Sequence, residues 1–443
     1  MISALSLLLA CTPDPRPDPE AVARGWEVLR YGDFVGAGVP ADLWFDLIGT
    51  DPRNVLDRSG DSARLGRAYN LFAAQNGVEV VGGLTCFGCH AAEVEGTFYP
   101  GVGDPRIDLS SNATPALFGL VGAAIDARYG EGSPEAEAAM PFLRGGEAVG
   151  SATVTPFAGV NPAFSLERAA VAHRDPSTLE WSYGGLAFDV PEPTIWSDTP
   201  PWWHIQKRGS LYWTGFGRGD LPQLLMQISV VAVTDVDQAE QILQSFDDVV
   251  AWLLALEPPP YPGPVDSALA SDGEALFVAH CSRCHGTYGA GGVYTEQVVP
   301  LAEIGTDGTY AAAFDDTPFV AWLAESWFAS DGGEPPPVLG YVAPPLDGIW
   351  VTAPYLHNGS VPDLASLLDP ALRPARWRRD PLDTALDHTR MGWPYTEPAP
   401  GTELDDAWVY DASVDGAGNG GHSFGEALTP AERERVLEYL KTL

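Results

Sequence analysis

Basic side chains are scarce in this 443-residue chain, which carries 24 Lys and Arg against 60 Asp and Glu and has a formal net charge of −36. Because affinity for nucleic acid comes mainly from cations that neutralise phosphates, no nucleic-acid partner is expected. Long apolar runs are also missing, since no stretch after residue 11 approaches the ~18 residues of a membrane span. The chain is therefore expected to be soluble or anchored to a membrane, and not to cross one.

Cysteine is scarce too, with five residues, but four of them form two short motifs, CFGCH at 86–90 and CSRCH at 281–285. Each motif has the C-x-x-C-H pattern of c-type haem attachment. Two thiols add to the vinyl groups of one haem, and the histidine that follows ligates the iron. Zinc sites and redox dithiols also use C-x-x-C pairs, but neither needs a histidine directly after both pairs. The pattern predicts two covalent haem c groups, held by Cys86, Cys89, Cys281 and Cys284, with His90 and His285 as iron ligands.

The fifth cysteine, Cys11, ends a short apolar stretch that runs from Ile2 to Ala10. This stretch resembles a bacterial lipoprotein signal over residues 1–11, in which Cys11 is lipidated and becomes the mature N-terminus. The alternative is an ordinary cleaved signal peptide with an incidental cysteine; no Lys or Arg precedes the apolar run, where a signal peptide carries positive charge. Both interpretations export the chain to the bacterial periplasm or cell envelope. The lipid would be its only attachment to the membrane.

Proline and glycine are abundant, with 40 and 48 residues, and they favour long turned loops between regular elements. Residues 12–20 form a Pro/Asp-rich linker, and EPPPYPGP at 257–264 marks a second linker, because prolines cannot continue a helix. The predicted haem domains are therefore 21–256 and 265–443.

Helix signals surround the first motif. A helix is predicted to begin near Ala21, an amphipathic helix to cover 61–76, and another to cover 235–256, where apolar residues fall at helical spacing. Residues 98–195 are expected to be mostly loop because of their composition.

The second half repeats this plan. A helix over 272–280 leads into the second motif, and the last helix covers 429–443, with Thr429 as its N-cap. Gly273 and Phe277 in the first of these helices, with Tyr439 in the last, match the crossed terminal helices of a cytochrome c domain. The predicted fold is mainly α, with two cytochrome c-like domains, long irregular loops and the haems near a shared interface.

The second axial ligand of each haem decides function, because it sets the redox potential and the access of small molecules to the iron. His280 adjoins the second motif and cannot reach over its own haem. The remaining candidates are His173, His204, His357, His388, His422, Met140, Met226 and Met391. Two of these have a distinctive context: His357 lies in TAPYLHNGSVPDL and His422 in NGGHSFGEAL.

Four segments resemble one group of proteins: TPPWWHIQKRGSLYWTGFGRGD at 199–220, GTDGTY at 305–310, APPLDGIWVTAPYLHNGSVPDLASLLDP at 343–370, and NGGHSFG at 419–425 with the EYLKTL ending. They are similar to the di-haem c-type cytochromes that include the bacterial rubber oxygenases. Those proteins are in turn similar to the di-haem cytochrome c peroxidases and the methylamine-utilisation di-haem protein.

The resemblance implies His422 as the sixth ligand of the C-terminal haem, with His357 beside that haem; the alternative exchanges these roles, and Met391 is a third choice. It implies an open face on the N-terminal haem for dioxygen or peroxide. An aromatic residue lies between the haems in this group and relays electrons. Trp202 and Trp203 fit that role, and His204 would line the distal pocket; the alternative is a packed pair of core aromatics.

The predicted function is that of an exported di-haem c-type cytochrome that transfers electrons between its haems, with peroxidase- or oxygenase-like chemistry at the N-terminal haem. The alternative is a periplasmic electron carrier with two six-coordinate haems and no chemistry of its own. The expected partner is a redox protein or a small-molecule oxidant.

Overall fold

The computed structural model describes residues 17–190, 193–315, 317–328, 338–399 and 406–443, so the predicted lipidation site Cys11 lies outside the described residues. The helices in these ranges are α1 (Pro19–Tyr31), α2 (Ala41–Leu47), α3 (Thr114–Tyr129), α4 (Pro134–Val149), α5 (Ala163–Ala172), α6 (Leu221–Leu225), α7 (Val236–Leu243), α8 (Phe246–Ala255), α9 (Ser267–His280), α10 (Ser282–His285), α11 (Leu301–Ile304), α12 (Thr309–Ala312), α13 (Thr317–Glu325), α14 (Leu364–Leu368) and α15 (Pro430–Leu440). Across the same ranges, none of the helices combines the length and apolar character needed to cross a membrane.

Strands in the described ranges are short and pair into four small antiparallel sheets. One sheet has the order β1-β3-β2, and the others are the pairs β4–β5, β6–β7 and β8–β9. The strands are β1 (Val39–Pro40), β2 (Asn70–Ala73), β3 (Glu79–Gly82), β4 (Ala91–Val94), β5 (Thr97–Pro100), β6 (Val298–Pro300), β7 (Gly340–Val342), β8 (Arg376–Arg378) and β9 (Val409–Asp411). Along the chain, the hairpin β2–β3 precedes the first C-x-x-C-H motif and the hairpin β4–β5 follows it.

The predicted mainly α fold of two cytochrome c-like domains is wrong. Within the described ranges, helices make up 41% of the residues and strands 10%, so the fold is mixed, with several small sheets. The predicted helix over 61–76 is instead a 3-10 turn at Gly60–Arg64 followed by β2. A tight turn competes with the helix there, because the Ala74 N–H donates to the Val78 carbonyl at 2.8 Å and closes the β2–β3 hairpin.

The hydrophobic cores draw on both sides of the 257–264 segment. In the first core, Phe164 of α5 stacks on Phe314, with 3.8 Å between ring centroids. In the second, Val94 and Trp203 are buried with Phe277 and other residues of the C-terminal half. This interleaving explains why the structure does not resemble two separate cytochrome units. The domain boundaries themselves stay a prediction.

Two pairs of helices cross at glycines. Gly25 of α1 lies against the Asp248 main chain of α8, and Gly273 of α9 lies against the Arg435 main chain of α15. A Cβ atom at either glycine would come closer than 3.0 Å to a carbonyl oxygen, so only glycine permits this approach. Phe277 packs on Tyr439 at 5.3 Å between ring centroids, which confirms the predicted crossing beside the second motif.

Apart from the helix over 61–76, the helices predicted around the two motifs are confirmed. The helix expected near Ala21 is α1, and the one expected at 235–256 is present but divided into α7 and α8. The last helix begins as predicted after Thr429, whose side chain accepts from the Glu432 N–H in a capping box.

Candidate haem-binding site

The second C-x-x-C-H motif follows directly from α9. Cys281 is the residue that ends this helix, and α10 then carries the rest of the motif to His285. The Nδ1 atom of His285 lies 2.8 Å from the carbonyl oxygen of Pro344. Because a carbonyl only accepts, Nδ1 carries the proton and Nε2 keeps the lone pair that a metal needs.

A cavity lies beside this motif, and Cys281, Cys284 and His285 form part of its wall. Four more histidines line the same cavity: His280, which precedes the motif, and His204, His357 and His422, which come from distant parts of the chain. Most of the remaining wall is apolar, including Phe277, Val299, Ile304, Val342, Leu364, Leu367, Leu368 and Leu440. An apolar cavity with a few imidazoles next to two thiols suits a large, flat, apolar group that carries a metal.

His422 faces His285 across this cavity. The two ring centroids are 6.2 Å apart, and the ring planes are inclined by 60°. A metal–imidazole bond is about 2 Å long and the ring nitrogen lies about 1 Å from the ring centre, so two imidazoles on opposite sides of one metal have centres about 6 Å apart. The observed spacing therefore fits one iron between His285 and His422.

The backbone and the surroundings of His422 keep its ring in place and neutral. The main-chain N–H of His422 donates to the Ile304 carbonyl at 2.7 Å, and the φ angle of His422, 46°, is in the left-handed region. Burial, followed by the neighbouring His285 and Arg373, lowers the pKa of His422 to about 3. At neutral pH the imidazole is thus uncharged, which is the form that binds a metal.

His357 occupies a different part of the cavity wall. Its ring stacks on Tyr341, with 3.8 Å between centroids and 16° between planes. Its carbonyl oxygen accepts from the Asp198 N–H at 2.8 Å. Nε2 of His357 is buried and has no hydrogen-bond partner among the described residues, and burial lowers the pKa of the ring to about 3. The ring is therefore a neutral group beside the position that His422 faces.

The first motif begins with a 3-10 turn at Cys86–Gly88, and main-chain contacts fix it. Arg67 donates from Nε to the Phe87 carbonyl at 3.1 Å and pairs with Asp104, whose N–H donates to the Cys89 carbonyl at 2.8 Å. Burial raises the pKa of the Cys86 and Cys89 thiols to about 12. A raised pKa disfavours a thiolate metal site or a redox dithiol, because both depend on the deprotonated thiol.

His90 is covered by Trp202. The two rings stack with 4.9 Å between centroids and 22° between planes. Burial lowers the pKa of His90 to about 4, and the nearby Pro200 carbonyl opposes this shift. Both motif histidines thus have a proline carbonyl close to the ring, Pro200 for His90 and Pro344 for His285.

The 3-10 turn at Trp202–Gln206 lies between the two motifs. Trp202 covers His90, whereas Trp203 donates from Nε1 to the Asp347 carbonyl at 2.7 Å. His204 approaches the same carbonyl at 3.4 Å and lines the cavity of the second motif. The sequence predicts His204 in or beside the distal pocket of the first haem, whereas the structure places it in the wall of the cavity of the second motif. Lys207 fixes the turn through its Nζ, which lies 2.7 Å from the Asp347 carboxylate.

The other predicted ligand candidates lie elsewhere. Met391 and Met226 are buried in the second and first cores, and Met140 is exposed. His173 stacks on Trp181 at 4.7 Å between centroids. His388 lies between the Tyr261 hydroxyl at 3.0 Å and the Glu95 carboxylate at 2.8 Å, while His280 lines the cavity next to Cys281. Asp347 and Pro344 were missed because their roles depend on main-chain carbonyls, which the residue type does not reveal.

A histidine held through Nδ1 beside a C-x-x-C pair, with an apolar cavity in front of it, is the arrangement of a c-type cytochrome. The family model for RoxA-like, cytochrome c-like domains matches residues 340–378, which contain Pro344 and His357. This segment is cytochrome c-like, and haem c is the cofactor that it implies.

Two curated relatives come from Sinorhizobium fredii (strain NBRC 101917 / NGR234). The chain is 30% identical to the uncharacterized protein y4iM over 268 residues, which cover 53% of this chain and 58% of that protein. It is 29% identical to the uncharacterized protein y4iJ over 286 residues, which cover 48% of this chain and 46% of that protein. The chain spans about half the length of the curated relatives it matches.

Proposed function

We propose that the chain is an exported di-haem c-type cytochrome that passes electrons between one haem at Cys86 and Cys89 and another at Cys281 and Cys284. The observation that carries this proposal is the cavity in which His422 faces His285 at the spacing of a bis-imidazole iron site. Haem c supplies one-electron redox chemistry when bound. The chain supplies the axial imidazoles, the apolar surroundings and the path between the two sites.

The C-terminal haem would be the electron store, because the imidazoles of His285 and His422 would both bind its iron. His90 differs, since its ring contact within the described residues is Trp202, and an indole does not ligate iron. An iron with one free face binds dioxygen or peroxide, so the N-terminal haem is the proposed centre of peroxidase- or oxygenase-like chemistry. The complete burial of Phe87, between the two cysteines of the first motif, favours the second candidate, an electron carrier with no chemistry of its own.

Trp202 and Trp203 form the proposed electron path. The Trp202 ring stacks on His90, and the Trp203 N–H donates a hydrogen bond to the carbonyl of Asp347, three residues after Pro344. The Trp203 N–H donates to a main-chain carbonyl, which is not a base, so oxidation of this indole would not release its proton to that partner. The Lys207–Asp347 ion pair holds the turn and limits its rearrangement.

Export and lipid anchoring at Cys11 are part of the proposal and depend on the sequence pattern alone. The net charge of −36 favours a redox partner with a cationic surface. A small-molecule oxidant is the other proposed partner, and nucleic acid is not one.

Haem content and spin state test this proposal. Purified protein is expected to hold two covalent haems per chain by the pyridine haemochrome assay, one low-spin and one high-spin haem that takes cyanide at once. Trp203→Phe is expected to slow peroxide turnover and leave cyanide binding unchanged. Trp350→Phe is the matched control, because Trp350 is also buried and also donates to a carbonyl at 2.7 Å.

One haem per chain would contradict the assignment of one motif. Two low-spin haems that ignore cyanide and peroxide in every redox state would replace the enzyme by the electron carrier. An equal effect of both tryptophan variants would remove the special role of Trp203.

A further inference from the structure

Arg373 follows α14 and extends its guanidinium group into the loop that carries His422. Nη1 donates to the carbonyl oxygens of Asn419 at 2.6 Å and Gly421 at 2.7 Å. Nη2 donates to the carbonyl oxygen of His422 itself at 3.2 Å. One planar group therefore binds three carbonyls within a segment of four residues.

The same guanidinium group also binds the end of α14. Nε donates to the Ser366 carbonyl at 3.1 Å, and Nη2 donates to the Leu367 carbonyl at 3.0 Å. The Leu367 side chain, with others of α14, lines the cavity of the second motif. Arg373 thus joins one wall of the cavity to the loop that presents the imidazole opposite His285.

That loop has a backbone that needs support. Gly421 and His422 both have positive φ, 71° and 46°, and the second of these is unfavourable for a residue with a Cβ. A Cβ on Gly421 would collide with the main chain of Gly305. Such conformations persist only where the surroundings fix them, and here the fixed contacts are the Ile304 carbonyl and Arg373.

We propose that Arg373 is a positioning residue that holds His422 in place as the sixth ligand and so keeps the C-terminal haem six-coordinate. This inference rests on the proposed ligation of that haem by His285 and His422. Arginine is suited to the task because its planar fork offers five donors and stays charged, whereas lysine offers three donors from a single nitrogen. Its positive charge beside the distal imidazole also favours the reduced haem, so its removal is expected to lower the reduction potential.

Cyanide titration of the ferric holoprotein tests this role. Cyanide must displace His422 from the C-terminal iron. If the bond between His422 and the iron weakens by some factor, the apparent affinity of this haem for cyanide rises by the same factor. Arg373→Lys keeps at most three of the five hydrogen bonds, and the loss of two corresponds to a rise in cyanide affinity of roughly tenfold. Loss of the bis-imidazole low-spin signal in paramagnetic resonance spectra reports on the C-terminal haem alone.

Arg433→Lys is the matched control. Arg433 donates to the Gly425 carbonyl at 3.0 Å and pairs with Asp369, close to the same loop but outside 419–422. In the Arg433→Lys variant, the cyanide affinity of the C-terminal haem is expected to stay at the wild-type value. Gly421→Ala keeps the Arg373 side chain but displaces the loop carbonyls that it binds, so it is expected to raise cyanide affinity as well. This variant keeps the test available if Arg373→Lys fails to fold.

Two results overturn the inference in different ways. If His422→Ala leaves the C-terminal haem low-spin, the ligand assignment in the proposed function falls, and the role of Arg373 falls with it. If His422→Ala opens the haem but Arg373→Lys and Arg433→Lys titrate alike, only the role of Arg373 is refuted. A selective rise in cyanide affinity in Arg373→Lys, with haem content unchanged, supports it.

Discussion

Replacement of Gly273 by alanine tests the link between helix packing and the second haem site. Gly273 lies where α9 crosses α15, and a Cβ there would come closer than 3.0 Å to the Arg435 carbonyl oxygen and to 3.0 Å from the Tyr439 Cβ atom. Ordinary contact begins at 3.4 Å, so the two helices must separate to admit the methyl group. Because Cys281 ends α9, this separation moves the first thiol of the motif.

The expected magnitude comes from two opposed terms. Overpacking against a main-chain atom in a rigid crossing costs about 3 kcal/mol. Alanine is intrinsically better than glycine inside a helix by about 1 kcal/mol. The net expectation for Gly273→Ala is a loss of about 2 kcal/mol in the free energy of unfolding.

Gly119→Ala isolates the packing term. Gly119 lies within α3, is exposed, and a Cβ there would meet its nearest atom at 3.9 Å. It should gain about 1 kcal/mol from helix propensity alone, so the two variants should differ by about 3 kcal/mol.

Urea unfolding of the holoprotein, followed by far-ultraviolet circular dichroism, measures this difference as a shift of the midpoint. The spectrum of the C-terminal haem is expected to change in Gly273→Ala and not in Gly119→Ala. Equal midpoints for Gly273→Ala and Gly119→Ala, with unchanged haem spectra, would refute the idea that the crossing requires glycine.

Three further predictions concern other parts of the molecule. His422→Ala is expected to convert the C-terminal haem from low to high spin, whereas His357→Ala should alter its spectrum without opening it; the opposite pattern would exchange the two roles. Burial raises the pKa of Glu167 to about 7. The stability that the protonated side chain contributes is therefore complete below about pH 4.5 and is lost as the pH rises through 7. The shift in pKa corresponds to a loss of about 3 kcal/mol in the free energy of unfolding. Thermal unfolding of Glu167→Gln, which keeps an acceptor for the Tyr212 hydroxyl at 2.6 Å, should therefore depend less on pH between 5 and 8, and an unchanged dependence would argue against this assignment. Gly25→Ala should destabilise the α1–α8 crossing and change the spectrum of the N-terminal haem only; a change at both haems would contradict this locality.

Elements with strong local signals were predictable from the sequence. The last helix has a capping box and a proline in its first turn, and the helix before the second motif leads straight into Cys281. The helix α5, within 98–195, was missed for a physical reason. Every residue of α5 from Phe164 to Ala172 is buried, Glu167 and Arg168 included, so the helix has no exposed polar face from which a helical period could be detected.

The candidate site was predictable where side chains carry the chemistry. Motif context singled out His357 and His422, and the structure brings both to one cavity. The Pro344 carbonyl and Arg373 act on or through the main chain, and their partners depend on how loops close in space. The pattern of residue types along the sequence does not show which loops come together, so these partners could not be predicted.

The turn at Trp202–Gln206 has a consequence for the order of its residues. A 3-10 helix has three residues per turn, so successive side chains project about 120° apart. Trp202 stacks on His90, Trp203 donates to the Asp347 carbonyl, and His204 approaches that same carbonyl and lines the cavity of the second motif. A one-residue insertion ahead of the turn would shift these three side chains by about 120° around the helix axis. Each side chain would then point to the place that the adjacent residue occupies now. The contacts that this turn makes with the two motif regions thus depend on the order of three adjacent residues as well as on their identity.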